Sequence, residues 1–325
     1  MIPAQNIVSL IDETREIMRK CTLCSRKCGV NRLEGETGFC GLGSESFLFK
    51  HFIHHGEEGG LSPSYTVYFT GCSFRCGYCS NRNSVVNPDL GEPLDSRKLA
   101  QQIDSCSSDV RNINFLGGEP TVNLLGILEI LSFMKTDIPV VWNSNMYASE
   151  QTMKIIDAVT DIYLADFKFG SNSCAEQIAG CENYVETVMR NLQMPAADKR
   201  IIIRHLPLPG HAECCSFPVI EMLAENLPGV EISIISALVP NREFPAACDA
   251  GTLKKIAEFA EESGLHVLEQ PSPVSISTEQ TIGGEIVETT IVLRPDGSVI
   301  FQDYSTGIAN LAERIVSAPD EEKTR

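Results

Sequence analysis

The sequence predicts an α/β fold, a partial (β/α)6 TIM-like barrel. Between about residues 61 and 270, short apolar stretches of strand length alternate with helical segments six times. Each predicted strand is largely apolar in its body and polar or glycine-rich at its C-terminal end. In parallel barrels the active site lies at that end, where the loops converge. We therefore predict a barrel flanked by an N-terminal part, residues 1–60, and a small C-terminal β-hairpin extension, residues 271–325.

The composition narrows the function classes. The chain has 325 residues and a formal net charge of −17. A strongly acidic protein lacks the field of Lys and Arg that phosphates need, so we expect no nucleic-acid partner and no binding to anionic membranes. The first twenty residues contain no uninterrupted apolar stretch, and no apolar run approaches about 18 residues, so neither a signal peptide nor a membrane helix is expected. We expect a cytoplasmic protein.

The N-terminal part combines a helix, predicted over residues 6–20, with a loop-rich segment that cannot bury a core of its own. Four cysteines within twenty residues define what we call the four-cysteine knuckle: Cys21, Cys24, Cys28 and Cys40. A tetrathiolate metal site would fold such a segment. Zinc is favoured because structural zinc held by four cysteines is common. An auxiliary iron–sulfur cluster and free reduced thiols are the alternatives, and spacing alone does not choose between them.

The first barrel strand is predicted over residues 65–69, and a second cysteine motif follows it directly. Cys72, Cys76 and Cys79 have C-x3-C-x2-C spacing within residues 70–81, the three-cysteine loop. Three thiolates can bind three irons of a 4Fe-4S cluster and leave the fourth iron open to a ligand. A zinc loop or buried thiols are the alternative, which the lack of a nearby fourth Cys or His weakens. The remaining cysteines share no spacing and are predicted to be ordinary thiols: Cys106, Cys174, Cys181, Cys214, Cys215 and Cys248.

Polar residues at the later strand ends should meet the three-cysteine loop at one mouth of the barrel. They are Gly117, Gly118, Glu119, Asn143, Asn145, Asp166, Lys168, Arg204, His205 and Ser236. The two glycines let the backbone approach a ligand closely, and the glutamate can accept hydrogen bonds from an ammonium group. Asp166 and Lys168 alternate along one strand and so share a face, either for function or as an internal ion pair. Residues 54–60, with paired His and paired Glu, are interpreted as a solvated loop rather than a metal site.

Residues from about 65 to 240 resemble the activating-enzyme branch of the radical S-adenosylmethionine (radical SAM) enzymes. The motifs that carry the resemblance are C-x3-C-x2-C with Tyr78 before the third Cys, Gly117-Gly118-Glu119-Pro120, Asn143-Ser144-Asn145 and the Arg204-His205-Leu206 stretch before Pro209-Gly210. The similarity is greatest to proteins related to pyruvate formate-lyase activating enzyme, and especially to the PflX-type group, which carries an N-terminal stretch like the four-cysteine knuckle.

The resemblance implies a role for each matching residue. Cys72, Cys76 and Cys79 would bind the 4Fe-4S cluster. S-adenosylmethionine would be contacted by Asn81 and by the strand-end residues Gly117, Gly118, Glu119, Asn143, Asn145, Asp166, Lys168 and Arg204. Three features depart from the activating enzyme itself: Asn143 stands where that enzyme has an aspartate that helps to hold a monovalent cation, no late-barrel histidine follows Ser236, and that enzyme has no four-cysteine knuckle.

The function that the resemblance implies is reductive cleavage of S-adenosylmethionine to a 5′-deoxyadenosyl radical, which abstracts hydrogen from a substrate. An electron donor such as flavodoxin or ferredoxin would supply the electron. The incomplete barrel leaves a lateral opening, so a protein or peptide substrate is favoured over a small molecule. The alternatives are a non-enzymatic iron–sulfur electron carrier and a zinc-knuckle adaptor. In the C-terminal extension, residues 285–293 and 298–304 flank a turn at residues 294–297, and residues 274–277 could add a strand.

Overall fold

The computed structural model describes residues 4–236, 238, 240–269, 275–282, 285–293 and 299–303. The N-terminal half contains α1 (Ala4–Arg19), β1 (Phe47–His54), β2 (Ser64–Phe69), α2 (Arg82–Val86), β3 (Glu92–Pro93), α3 (Ser96–Ser105), β4 (Asn112–Gly117), α4 (Leu124–Phe133), β5 (Val140–Ser144) and α5 (Glu150–Val159). It is followed by β6 (Ile162–Asp166), α6 (Asn172–Ala179), α7 (Tyr184–Leu192), β7 (Arg200–His205), α8 (Phe217–Asn226), β8 (Glu231–Ile234), α9 (Ala250–Glu262) and β9 (His266–Val267).

A nine-stranded sheet organises the molecule in the order β3-β1-β2-β4-β5-β6-β7-β8-β9. From β2 to β9 the strands run parallel and in chain order, with helices in the crossovers. This is the topology of a partial TIM-like barrel, as the alternating pattern predicts. The parallel series ends with the short β9, which pairs with β8. The sequence did not indicate that β1 would join the sheet antiparallel to β2, or that β3 would pair with β1.

Helix α1 packs its apolar side into the same hydrophobic core as the barrel. Ile7, Ile11, Ile17 and Met18 are buried in one cluster with the barrel strands. At 3.6 residues per turn, these four positions fall along one broad stripe of the helix. The N-terminal helix is therefore anchored to the outside of the barrel, and the boundary drawn near residue 60 stays a prediction.

Side-chain caps fix where the helices that follow the strands begin. Asp95 accepts a hydrogen bond from the Lys98 amide at 2.9 Å, and Ser149 accepts one from the Thr152 amide at 3.3 Å. Such caps satisfy amide groups that the first helical turn leaves free. They fix where α3 and α5 begin.

The C-terminal extension contains three antiparallel strands, β10 (Ser275–Ile282), β11 (Glu285–Leu293) and β12 (Val299–Asp303). The strand predicted over residues 274–277 appears as the longer β10, the one over residues 285–293 as β11, and the described part of the one over residues 298–304 as β12. The predicted turn at residues 294–297 lies outside the described residues, as do Val274 and Tyr304. Over the described ranges, no helix has the length and apolar character needed to cross a membrane.

Candidate functional site

A cavity of about 320 Å³ opens at the C-terminal ends of the parallel strands. Its volume falls within the range of about 300–1,000 Å³ that is usual for small-molecule sites. The three-cysteine loop forms one side and the ends of β4 to β7 form the other. All twelve residues predicted for the cluster and the cofactor line it: Cys72, Cys76, Cys79, Asn81, Gly117, Gly118, Glu119, Asn143, Asn145, Asp166, Lys168 and Arg204.

The three-cysteine loop presents its thiols to this cavity at different depths. Cys72 is buried, and its sulfur accepts a hydrogen bond from the Phe74 amide at 3.3 Å. Cys76 and Cys79 are half-buried. Burial, and then the nearby Glu119 carboxylate, raise the pKa of Cys72 well above its ordinary value. A thiolate at this position therefore needs a cationic partner, as a cluster iron would be.

The spread of these sulfurs bears on the zinc alternative. Among the described residues, one set of three or more metal-ligating side chains has all its ligand atoms within 4.8 Å of one another. That set does not include Cys72, Cys76 or Cys79. Thiolates on a single tetrahedral zinc stand about 3.8 Å apart, given Zn–S distances of about 2.3 Å. A 4Fe-4S cluster binds each thiolate to a different iron, so its ligands need not converge. The arrangement fits the cluster better than a zinc ion.

Two glycines bring the end of β4 against the three-cysteine loop. Gly117 has a φ of +118°, which side chains rarely adopt, and a Cβ on Gly118 would overlap the Gly71 carbonyl oxygen. The Gly118 amide donates to the Phe69 carbonyl oxygen at 2.8 Å. The glycines thus permit two strand ends to pack backbone to backbone. Their predicted contact with a cofactor stays a prediction.

Glu119 is held rigidly beside the cavity, with 1% of its surface exposed. One carboxylate oxygen accepts hydrogen bonds from the Ser144 hydroxyl at 2.7 Å and the Thr121 amide at 3.0 Å. The other accepts one from the Asn145 amide at 2.9 Å. Burial raises the pKa of Glu119, and the hydrogen bonds oppose this shift only in part. The carboxylate is therefore ready to pair with a positive charge that enters the cavity.

A row of alternating charges lines the opposite wall. The Lys168 ammonium donates to Asp166 at 2.6 Å, and the Arg204 guanidinium contacts Glu58 at 3.1 Å. Burial lowers the pKa of Lys168, but Asp166 and the Cys76 sulfur outweigh it and the pKa rises. Burial acts likewise on Arg204, where Glu58 and Asp166 outweigh it. Both cations therefore stay charged at neutral pH.

Residues 54–60 are not the solvated loop that the sequence analysis predicts. That prediction is wrong for most of the charged side chains in this segment. His54, Glu57 and Glu58 are buried. The His54 ring lies 3.2 Å from Glu57, while Glu58 accepts from Ser233 and pairs with Arg204. The reason is that the loop joins β1 to β2 beneath the cavity wall, where Arg204 needs a counter-charge. Sequence reasoning missed Glu58, although an acidic pair just after a strand was a usable signal.

His205 and Ser236 do not line the cavity. The buried His205 ring has Nδ1 2.8 Å from the Phe167 carbonyl oxygen and Nε2 2.9 Å from the Ser216 hydroxyl. Burial lowers the pKa of His205 to about 4, so the ring is neutral at ordinary pH. It faces away from Arg204, as alternation along β7 predicts. The position at the end of a strand did not by itself show that Arg204 lines the cavity and His205 does not.

In the four-cysteine knuckle, Cys21, Cys24 and Cys40 are buried and Cys28 is exposed. Burial, and then the neighbouring knuckle sulfurs, raise the pKa of Cys24 to about 12. The four sulfurs are thus near one another, but no three of them lie within the 4.8 Å that marks a compact metal site among the described residues. The metal of the knuckle stays a prediction.

The knuckle rests directly on the three-cysteine loop. The Phe39 ring has the guanidinium groups of Arg26 and Arg75 at 3.5 and 4.4 Å from its centre. Arg26 also donates to the carbonyl oxygens of Ser73 and Gly180. Cation–π contacts of this kind contribute about 0.5–1 kcal/mol each when partly exposed. The knuckle therefore supports the loop that holds the predicted cluster ligands.

Two sequence comparisons relate this chain to known proteins. The sequence model of a family described as a 4Fe-4S single cluster domain matches residues 58–185, which include the three-cysteine loop and the glycine pair. An uncharacterized protein of Methanocaldococcus jannaschii is 35% identical over 276 residues, which cover 81% of this chain and 81% of that protein.

Solved structures give weaker likenesses. SuiB of Streptococcus suis bound to S-adenosylmethionine is 12% identical with a TM-score of 0.46, over 62% of this chain and 48% of SuiB, so the matched part is about half of SuiB. A radical SAM methyltransferase of Sphaerobacter thermophilus has a TM-score of 0.47 at 10% identity, over 63% of this chain and 66% of that one. A domain of pyruvate-formate lyase-activating enzyme from Bacteroides vulgatus has a TM-score of 0.37 at 18% identity, over 47% of this chain and 95% of that domain.

Proposed function

We propose that this chain is a radical SAM enzyme that cleaves S-adenosylmethionine reductively. It belongs to one family with its archaeal relative, and its residues 58–185 match a 4Fe-4S single cluster domain. The observation that carries the proposal is one cavity that contains three cysteine thiols, a glycine pair, a buried carboxylate and a row of charges. A carrier of electrons alone would need the thiols but not the polar groups at four other strand ends. Within the superfamily, we propose the PflX-type branch because the knuckle precedes the barrel.

Cys72, Cys76 and Cys79 would hold a 4Fe-4S cluster with one iron left free of protein ligands. When bound, the cluster supplies the electron that splits the sulfonium of S-adenosylmethionine into methionine and a 5′-deoxyadenosyl radical. The protein's task is then to bind, orient and shield. Aromatic and aliphatic side chains of Phe74, Tyr78, Leu206 and Leu238 contribute to the cavity wall and limit the access of water.

Glu119 and the cations on the opposite wall would bind different groups of the cofactor. The Glu119 carboxylate suits the ammonium of S-adenosylmethionine, and Lys168 or Arg204 suits a carboxylate. Asn143 lines the cavity with a buried Nδ2 that has no hydrogen-bond partner in the described part of the chain. An unpaired buried donor costs about 1–3 kcal/mol, which an acceptor on the cofactor would recover. The Asn143 oxygen accepts a hydrogen bond from the Arg204 guanidinium at 3.4 Å, so the amide group is held in place with its nitrogen available to the cofactor.

We propose a protein or peptide as the substrate and an acidic carrier such as flavodoxin or ferredoxin as the electron donor. The sheet order ends at β9 without returning to β3 over the described strands, which supports an open side at which a polypeptide would enter. Arg75 and Arg82 lie on or beside the three-cysteine loop, and Arg82 is exposed. Positive charge at this position would attract an acidic donor.

The test is cofactor cleavage by the full chain, reconstituted anaerobically with iron and sulfide. On addition of dithionite and S-adenosylmethionine, we expect 5′-deoxyadenosine and methionine in equal amounts, measured by liquid chromatography and mass spectrometry. A preparation with an intact cluster that binds S-adenosylmethionine but yields neither product would contradict the proposal.

A further inference from the structure

A second group of metal-ligating side chains lies outside the cavity. Cys174, His211, Cys214 and Cys215 place one sulfur or ring-nitrogen atom each so that all four lie within 4.8 Å of one another. None of them lines the cavity, and none belongs to the knuckle or the three-cysteine loop. Three cysteines that the sequence analysis treats as ordinary thiols therefore lie close together in the structure. We call this set the Cys3His group.

The distances within the Cys3His group match a single tetrahedral ion. The sulfurs of Cys174 and Cys214 are 3.5 Å apart, and His211 Nδ1 lies 3.7 and 3.4 Å from them. Zn–S bonds of about 2.3 Å and Zn–N bonds of about 2.0–2.1 Å at tetrahedral angles require separations of about 3.8 and 3.6 Å. A sulfur pair at 3.5 Å is also well beyond the disulfide bond length of about 2.05 Å.

The group joins the connections that follow two adjacent barrel strands. Cys174 lies in the first turn of α6, after β6, whereas Cys214 and Cys215 lie in the turn Ala212–Ser216 that leads into α8, after β7. A Cβ on Gly170 would lie 2.5 Å from the Cys215 carbonyl oxygen and 2.9 Å from its Cα. A glycine at this position lets the two connections touch backbone to backbone. The convergence of the four ligands is thus supported by the packing of the connections themselves.

We propose that Cys174, His211, Cys214 and Cys215 bind one zinc ion in a closed, structural site. Three thiolates and one neutral imidazole fill all four positions of tetrahedral zinc, which leaves none for water or substrate. On binding, the three thiols release their protons to solvent. A 4Fe-4S cluster does not fit, because its ligands bind different irons and cannot converge on one point.

The position of the zinc site indicates what it does. The connection after β6 begins with Phe167 and Lys168, and β7 carries Arg204. His205 already bridges the same two segments through Phe167 and Ser216. A zinc ion would fix the two connections to each other a few residues after Lys168 and Arg204, which supply the cations of the cavity. The inference concerns a structural ion and stands whether or not the proposed cofactor chemistry is correct.

The test is elemental analysis of the full chain, purified anaerobically with added zinc. Cys214→Ser is the main variant, because Cys214 is exposed and its loss leaves no cavity in the core. His211→Gln is the second variant. Cys248→Ser is the matched control, because Cys248 is half-buried and belongs to no metal-ligating group found in the described ranges. To separate this site from the knuckle, each change is also made in a chain that carries Cys28→Ser.

We expect Cys214→Ser and His211→Gln each to lose about one equivalent of zinc, with iron and sulfide unchanged, in both backgrounds. Cys248→Ser should keep the full zinc content of the unmodified chain. The proposal is overturned if both variants retain as much zinc as the unmodified chain, or if His211→Gln alone causes no loss of zinc. It is also overturned if the metal that is lost is iron accompanied by sulfide. A Cys174–Cys214 disulfide in the anaerobic protein, found by peptide mass mapping without reduction, would also overturn it.

Discussion

The three-cysteine loop and the Cys3His group lie at the same end of the barrel but arrange their sulfurs differently. In the loop, three thiols from residues 72–79 stand apart around a cavity of about 320 Å³. In the Cys3His group, ligand atoms from two connections converge within 4.8 Å. Separated ligands leave room for a cluster and a second ligand, whereas converged ligands enclose one ion. The spacing of the ligand atoms therefore distinguishes the proposed cofactor site from the proposed structural zinc site.

The largest effect that would test this contrast is expected from Cys76→Ala. Loss of a cluster ligand should lower the iron and sulfide content and the yield of 5′-deoxyadenosine by more than about a hundredfold, since even changes around a ligand cost about 10–100-fold. The zinc of the Cys3His group should stay. Absorption near 400 nm, metal analysis and product assays measure these quantities.

Cys106→Ala is the control for this change, because Cys106 is half-buried at the end of α3 and belongs to no metal group among the described residues. It should keep both the cluster and the cleavage activity. Full turnover by Cys76→Ala would show that the three-cysteine loop does not bind the catalytic cluster.

The next effect concerns His205, which joins the two connections that the Cys3His group also joins. Burial lowers its pKa in the folded protein to about 4, from 6.5. Protonation therefore favours the unfolded chain, so the stability from the neutral ring is present above about pH 6.5 and is lost as the pH falls toward 4. The full loss is about 3 kcal/mol in the free energy of unfolding.

Denaturant unfolding at several pH values between 7 and 4 measures this loss. The experiment is best done in the Cys214→Ser chain, so that acid release of zinc does not contribute. His205→Gln in that background should show a smaller decrease over the same interval. Equal decreases in the two chains would assign the pH dependence to other groups.

The contrast between the two sites also explains how far sequence reasoning reached. The barrel and its mouth follow from local patterns, because each strand carries its own polar end, such as Asp166 at the end of β6 and Lys168 just after it. The Cys3His group was missed because Cys174 and His211 are 37 residues apart and meet only through the pairing of β6 with β7. Glu58 was missed for the same reason, since its partner Arg204 lies on a distant strand.

Glu119→Gln tests whether the cavity recognises a positive charge. The amide keeps the size of the side chain but cannot pair with an ammonium, so the binding free energy of S-adenosylmethionine should weaken by about 1.5–3 kcal/mol, or about 10–150-fold. Isothermal titration of the reconstituted protein measures it. Glu150→Gln, at an exposed helix start, is the control and should bind normally. Unchanged affinity in Glu119→Gln would remove the carboxylate from the cofactor site while leaving the cluster assignment intact.

The smallest effect is expected from Gly118→Ala, which tests the close packing that keeps the three-cysteine loop in place. The added Cβ would overlap the Gly71 carbonyl oxygen, so the backbone of β4 or of the loop must shift. Overpacking of this kind costs about 1–3 kcal/mol, and the shift should lower cluster content while the zinc of the Cys3His group is retained. Gly43→Ala is the matched control, because its Cβ would meet no atom closer than 3.9 Å. If the two variants keep equal cluster content and equal unfolding free energies, the loop tolerates displacement, and the contact between strand ends does not set the positions of the thiols.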